Sequence, residues 1–308
     1  MARIAGAFEG PIPVTGDWVV LRPGPMPADP WSLVGVLPRR TAVSRGSAGE
    51  GATEQVLAAN IDVVWIVQPL DVAPNLRSIE RYLAVALESG AVPALVLTKA
   101  DCCPDVAAAT AAIAAVAVGV DILSVSVDDP ARIEQLRATL RPGRTVALLG
   151  PSGAGKSTLI NTLAAETRTA TGEVRDFDHK GRHTTTHREL FRIAGGALLM
   201  DTPGLRELRV WTLDEGLAGA FPEIEELSTA CRFRDCRHQA EPGCAVVEAV
   251  SSGRLDAARL ESYRKLEAEA AYFERKSDPR ARAAAVAEHK TAMKTMKQHP
   301  KYRRDGDG

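Results

Sequence analysis

The stretch Gly150-Pro151-Ser152-Gly153-Ala154-Gly155-Lys156-Ser157-Thr158 admits very few folds. It fits G-x-x-x-x-G-K-[ST], a loop whose backbone N–H groups cradle phosphates and that belongs between a strand and a helix. Both neighbours are written in the sequence. Arg144 to Leu149 is a short apolar run, read as a buried strand. Ser157 to Ala164 places Leu159, Ile160 and Leu163 at helical spacing. The glycines let the backbone approach a phosphate, and the helix N-terminus adds positive potential. In that frame Lys156 reaches the β- and γ-phosphates, and the Ser157 hydroxyl ligates Mg²⁺. A glycine turn that matched by accident would lack the flanking strand and helix.

The surrounding chain, from Asn60 to about Leu208, alternates apolar strands with helical stretches. This reads as an α/β domain with a largely parallel sheet. Strands are expected at Ile61–Val67, Pro93–Thr98, Asp121–Ser126, Arg144–Leu149, Leu190–Ile193 and Ala197–Met200. Helices are expected at Leu76–Ser89, around Val106–Val118, and over Arg132–Leu140.

Three further motifs lie in this region. Asp201-Thr202-Pro203-Gly204 follows an apolar strand. Its Asp suits Mg²⁺ held through water, and its Gly N–H suits a γ-phosphate contact, as in a nucleotide switch. Alone, such a tetrapeptide is only a turn. Thr98-Lys99-Ala100-Asp101 also ends a strand and resembles the N-K-x-D base-reading motif of GTPases. A carboxylate can accept from guanine N1–H and N2–H₂ together, and Lys99 would lie along the base plane. Thr98 stands where that motif has Asn, which weakens one hydrogen bond; such a bond nets about 0.5–1.5 kcal/mol, too little to abolish guanine choice with Asp101 in place. Ser124–Ser126 ends the next strand, where a backbone contact to the base would fall. Finally, Gly181-Arg182-His183-Thr184-Thr185-Thr186-His187 sits where a switch loop with a Mg²⁺-binding Thr belongs. Which Thr serves stays open, and His183 is the candidate for positioning the attacking water.

The order is unusual. The base-reading strand precedes the phosphate loop, whereas in an ordinary small GTPase it follows D-x-x-G. This is a circular permutation, and it makes the switch at Asp201–Gly204 lead directly into the C-terminal region.

Flanking segments carry other chemistry. Residues before about Gln55 are rich in Gly and Pro with short β-like runs, Asp17–Arg22 and Trp31–Leu37. They read as a small OB-like β-barrel, short for five strands, with Arg39, Arg40 and Arg45 available to RNA. Toward the other end, Cys231, Cys236, His238 and Cys244 give C-x4-C-x-H-x5-C. Three thiolates and one imidazole make a closed tetrahedral Zn²⁺ site, structural because no coordination position is left open. Five cysteines in all, an odd number with three beside a histidine, favour metal in a reducing compartment over disulfides. Leu260, Tyr263, Leu266, Ala270 and Phe273 mark one face of a helix. The end of the chain, with Lys290, Lys294, Lys297, Lys301, Arg303 and Arg304, reads as a basic arm. Net charge is only −1, so any RNA affinity must be local. No signal peptide or membrane span is read.

Together these residues resemble the RsgA (YjeQ) family, the circularly permuted GTPases that depend on the small ribosomal subunit. The permuted order, Thr98–Asp101, Gly150–Thr158, Gly181–Thr186, Asp201–Gly204 and the Cys231/Cys236/His238/Cys244 knuckle all carry the likeness. The resemblance implies an OB-fold over 1–58, a permuted GTPase domain over 59–220, and a zinc-binding helical domain with a basic tail over 221–308. It implies GTP hydrolysis to GDP, stimulated by the small ribosomal subunit, and a role in late maturation of that particle through rRNA contacts. In such proteins the glutamine after D-x-x-G is replaced by an apolar residue, here Leu205, and the switch histidine maps to His183. The expected protein is cytoplasmic and monomeric, with no membrane partner. Two rivals stay in view: an ATP-dependent kinase or ATPase sharing only the phosphate loop, and a nucleotide-dependent RNA-binding switch with little turnover.

Overall fold

The computed structural model describes residues 3–4, 10–26, 29–46, 54–171, 189–193, 195–201 and 214–277. His183, Thr184–Thr186, Gly204, Leu205 and the basic tail lie outside the described residues.

The architecture is α/β around a six-stranded sheet. In chain order its strands are β6 (Val63–Pro69), β7 (Val92–Thr98), β8 (Asp121–Ser124), β9 (Thr145–Leu149), β10 (Glu189–Arg192) and β11 (Leu198–Asp201). Across the sheet they run β10-β11-β9-β6-β7-β8. All pairs are parallel except the edge hairpin β10–β11. The strands are apolar without alternation because both faces of the sheet are covered. Val64, Ile66, Leu95, Leu97, Ala147, Leu149 and Met200 enter one core. Trp65, Val67, Val96, Val146, Leu148 and Leu199 enter the other.

The first core is closed by α1 (Leu76–Glu88) and by Ile113 of α2 (Val106–Ala114). The second is closed by α3 (Pro130–Ala138) and α4 (Lys156–Thr171), with Ile133, Leu136, Leu159, Ile160 and Leu163 buried there. Side-chain caps start the first three helices. Asn75 accepts from the Ser78 amide, Asp105 from that of Ala108, and Asp129 from those of Ala131 and Arg132, with Pro130 following.

The first sheet strand begins two residues later than the apolar run does. Asn60 takes a left-handed conformation at φ 55°. Its side chain accepts from the Arg40 amide and donates to the Gly16 carbonyl, fastening the N-terminal segment to the sheet. That segment holds β1 (Arg3–Ile4), β2 (Val19–Arg22) and β3 (Ser32–Val36) in one small sheet, ordered β1-β3-β2. A separate hairpin pairs β4 (Ala42–Gly46) with β5 (Glu54–Ala59), and Val43, Leu57 and Ala58 pack into the first core. Arg39 is not presented to solvent partners. It forms a two-pronged pair with Asp17 at 2.8 Å through both prongs.

Beyond the sheet lie α5 (Asp214–Ala220), α6 (Pro222–Ser228), α7 (Ala245–Ser251) and α8 (Ala257–Ser277). All but α7 join α1 through a buried ionic network. Glu80 of α1 and Arg259 of α8 are 3% and 7% exposed and pair at 2.7 Å. Arg259 also reaches Glu223 of α6 at 2.6 Å and the Ala220 carbonyl at the end of α5 at 2.6 Å, and it stacks over the Phe221 ring. Ser262 donates to the second Glu80 oxygen. The Arg259 guanidinium and both Glu80 oxygens have their partners, as such a buried cluster requires, while the second Glu223 oxygen has none. Arg259→Met strands Glu80 in the core. It is expected to cost about 3–5 kcal/mol, read as a lower urea midpoint, whereas Glu80→Gln combined with Arg259→Met should cost clearly less than the sum of the two singles.

Candidate nucleotide site and metal centre

All parallel strands end on the same edge of the sheet, and the candidate motifs follow three of those ends. Gly150–Gly155 continues β9 and feeds α4. Gly150, Gly153 and Gly155 have φ of 145°, 76° and 86°, which other residues adopt at a cost. Gly150 also has no room for a side chain, since a Cβ there would lie 2.2 Å from the Val67 carbonyl oxygen on β6. Ser152, Gly153, Ser157 and Thr158 are exposed at the mouth of the loop, with Pro151 and Gly155 half-buried. Lys156 Nζ curls over the loop and donates to the Gly150 and Pro151 carbonyls, each at 2.7 Å. Its cation therefore sits where the loop's backbone converges. Asp201 ends β11 directly beside Leu148 of β9, one strand over from the loop.

The base-reading candidate follows β7. Thr98 is buried at the strand end, and its hydroxyl donates to the Ala154 carbonyl of the phosphate loop at 2.7 Å. Lys99 turns the chain in a left-handed conformation at φ 55°, and Ala100–Cys102 form a 3₁₀ turn. The Ala100 amide donates to the Val125 carbonyl, which fixes this turn against the loop after β8. A hydrogen bond from Ser126, then one from Cys102, holds the Asp101 carboxyl below the usual carboxylate range. Asp101 is therefore an acceptor only, as donors on a base edge require. Thr98, Lys99, Asp101, Val125, Val127 and Asp128 line one side of a cavity of about 160 Å³, and Gly155, Thr158 and Leu159 line the other. Two motifs more than fifty residues apart thus face one space.

Two neighbours complete this corner, Asp71, which no motif marks, and Ser126, which the sequence offers only for a backbone contact. Asp71, just past the end of β6, pairs with Lys99 Nζ at 2.6 Å. Ser126 supplies the hydroxyl for Asp101. The signal that finds Asp71 is adjacency, because β6 and β7 are parallel neighbours in register from Val63↔Val92 to Pro69↔Thr98, so residues just past both ends meet.

The second candidate site lies between α6 and α7. Cys231, Cys236, His238 and Cys244 bring four ligand atoms within 4.8 Å of one another. His238 Nδ1 is 3.6 Å from Cys231 Sγ and 3.5 Å from Cys244 Sγ, and those sulfurs are 3.9 Å apart. Tetrahedral bonds of zinc length put S···N and S···S at about 3.6 and 3.8 Å. The donor set therefore fits a tetrahedral metal. Burial pushes the Cys231 thiol up, but the amides of Val246 and Ala245 and the neighbouring thiols more than offset this and lower it. His238 sits in a left-handed conformation at φ 53°. The loop around it is gathered by Glu241, whose carboxylate accepts from the Arg237, Gln239 and Ala240 amides. Together with the Glu241 amide, these bonds hold that carboxyl down at about 2.

The strand order and the position of the base loop ahead of the phosphate loop define a circularly permuted GTPase fold. YjeQ from Thermotoga maritima superposes with a TM-score of 0.61 at 25% identity over 84% of each chain. YloQ, described as a circularly permuted GTPase, gives 0.61 at 25% identity over 87% of this chain and 85% of its own. The family model described as RsgA GTPase matches residues 36–211. The small ribosomal subunit biogenesis GTPase RsgA of Opitutus terrae is 50% identical over 281 residues, covering 89% of this chain and 77% of its own length. Its namesake in Methanosarcina acetivorans is 44% identical over 279 residues, covering 90% and 75%. The chain belongs to the RsgA GTPase family.

The phosphate loop gives a direct test. Gly150→Ala forces a Cβ into the Val67 carbonyl. It is expected to lower affinity for any guanine nucleotide more than tenfold and to lower Tm, measured by titration calorimetry and by thermal unfolding.

Proposed function

We propose that this chain binds GTP in the cavity shared by Thr98–Asp101 and Gly150–Thr158 and hydrolyses it to GDP and phosphate in the service of small-subunit maturation. The observation that supports the reading is the Thr98–Ala154 hydrogen bond, beside a cavity lined by residues of both Thr98–Asp101 and Gly150–Thr158, in a member of a GTPase family. Asp101 accepts from the guanine N1–H and N2–H₂, the stem of Lys99 covers the base, and Val125 and Val127 exclude water from its other side. Lys156 leaves its loop carbonyls for the phosphate oxygens, while the loop amides from Gly153 to Thr158 receive the rest. Ser157 and Asp201 are the residues for Mg²⁺, which when bound with GTP neutralises charge building between the β- and γ-phosphates. Gly204 would offer its amide to the γ-phosphate. His183, carried over from the family resemblance, would orient the attacking water. With Leu205 where many GTPases have glutamine, unaided turnover should fall in the range of about 10⁻⁴ to 10⁻² s⁻¹.

The relatives' name supplies the partner, the small ribosomal subunit. We infer that contact with that particle and its rRNA orders the loop around His183. Soft thiolates in a closed Cys3His set favour zinc, one per chain, in a structural role. No helix among the described residues is long and apolar enough to cross a membrane, in keeping with work in the cytoplasm. The modular reading over 1–58, 59–220 and 221–308, and a monomeric state, belong to the same proposal.

Steady-state phosphate release from GTP and ATP, with and without small ribosomal subunits, is the primary test. Release should be confined to GTP and rise about 10³-fold or more with subunits. His183→Ala should abolish that rise while leaving GDP affinity unchanged. Unstimulated release with GTP still bound would instead identify a binding switch. Metal analysis of the purified chain should return one zinc per molecule, and Cys244→Ser should lose it.

A further inference from the structure

We propose that Thr98 is a positioning residue that clamps the phosphate loop to the base pocket, and that guanine N7 therefore goes unread in this chain. The inference rests on the guanine-nucleotide reading above and deepens it. At this position the N-K-x-D motif has an asparagine, whose amide carries two N–H protons and a carbonyl. A threonine hydroxyl has one proton. Here that proton is committed, because Oγ1 donates to the Ala154 carbonyl at 2.7 Å. The commitment is firm on both sides. Thr98 is 4% exposed, and Ala154 is fully buried, so neither group has water as an alternative partner. Withdrawing the hydroxyl would leave a buried carbonyl unpaired, which costs more than an ordinary exchange of hydrogen bonds. The side chain is also packed in place, with its Cβ and Oγ1 about van der Waals distance beneath Gly155, 3.8 Å from where a Cβ on that glycine would sit.

Guanine N7 bears only a lone pair and must be met by a donor. The hydroxyl of Thr98 has none left to give. The opposite edge of the base is different, since N1–H and N2–H₂ are donors and Asp101, held ionised by Ser126, is the acceptor they need. Selectivity for guanine is therefore read at the N1/N2 edge, while position 98 supplies rigidity between the two loops. Asparagine at this position has enough protons to serve both the Ala154 carbonyl and N7.

The experiment is titration calorimetry of the full chain with GDP and with 7-deaza-GDP, which has C–H in place of N7. The wild-type protein should bind both with Kd values within twofold of one another. Thr98→Asn should bind GDP about 2- to 10-fold more tightly than 7-deaza-GDP, the worth of one added neutral hydrogen bond. Thr98→Val should weaken both ligands about fivefold or more by the same factor, and Thr98→Ser should bind both as the wild type does. A wild-type preference for GDP over 7-deaza-GDP greater than threefold overturns the inference and leaves the guanine-nucleotide site standing. Failure of the wild type to bind GDP at all overturns both. The wild-type ratio needs no variant, so poor folding of Thr98→Val leaves the test decisive.

Discussion

The close approach of Gly150 to the Val67 carbonyl is the constraint on which the site depends. β9 is buried on both faces between β6 and β11, so its end cannot move without disturbing two strand pairs. A phosphate loop must turn sharply at that point and still lie flat against β6. Only a residue without Cβ can do both, and only in a conformation near φ 145°. Once that turn is fixed, the loop is carried over the end of β6 and toward that of β7. There Thr98 meets the Ala154 carbonyl. Asp201 falls beside Leu148 through the same register. The cavity is thus a product of parallel strand pairing, with each motif delivered by its strand end to one edge of the sheet.

Permutation changes what the sheet is attached to. The chain leaves the sheet at Asp201 and is next described at α5, which docks on α1, the helix between β6 and β7. Gly216 of α5 approaches so closely that a Cβ would lie 2.2 Å from the Ala84 carbonyl, and its amide donates to Glu88. α5 is therefore fastened to the same α/β body in which β11 ends at Asp201. Arg259 strengthens that attachment by holding the end of α5, the start of α6 and the middle of α1 at once.

Much of this was legible in the sequence because it follows from chemistry that demands particular residues. Strands covered on both faces read as unbroken apolar runs. The helices read from residues at helical spacing, although the start at Asp129–Pro130 lies ahead of the expected Arg132, and four metal-type ligands stand out by their compact spacing as a candidate metal site. What was not legible has an equally physical reason. Glu80 lies within an amphipathic helix, where a charge usually faces water, and only the partner 179 residues away makes its burial tolerable. The β4–β5 hairpin lacks clean alternation, because Val43, Leu57 and Ala58 join the main core and do not form a core of their own. Arg39 reads as a free cation beside a β-run, yet Asp17 occupies it through both prongs. The Thr98 hydroxyl reads as a weakened base contact, because sequence cannot say which acceptor a hydroxyl will find.

In the region after α5, a candidate metal site and a buried charge cluster meet the same need. α5, α6 and α7 are seven residues each, well below the roughly 12–15 residues at which isolated helices become even marginally stable. Their order must come from tertiary contacts. On one side Cys244 is both a metal-type ligand and the N-cap of α7, its sulfur accepting from the Val247 amide at 3.5 Å. Holding that sulfur in a tetrahedral site therefore fixes the start of the helix that buries Val246 and Ala249. On the other side Arg259 caps the carbonyl end of α5 with a cation, the favourable charge for that terminus. Between them, Phe221 is fully buried, edge-on to Tyr263 of α8 and under the Arg259 guanidinium. The short helices are thus held at one end by the Cys244 cap and at the other by a desolvated ion network, which fastens them to α1. The same helix lies between β6 and β7, whose ends are followed by the Asp71–Lys99 ion pair, so the C-terminal region is braced against the scaffold of the candidate nucleotide cavity.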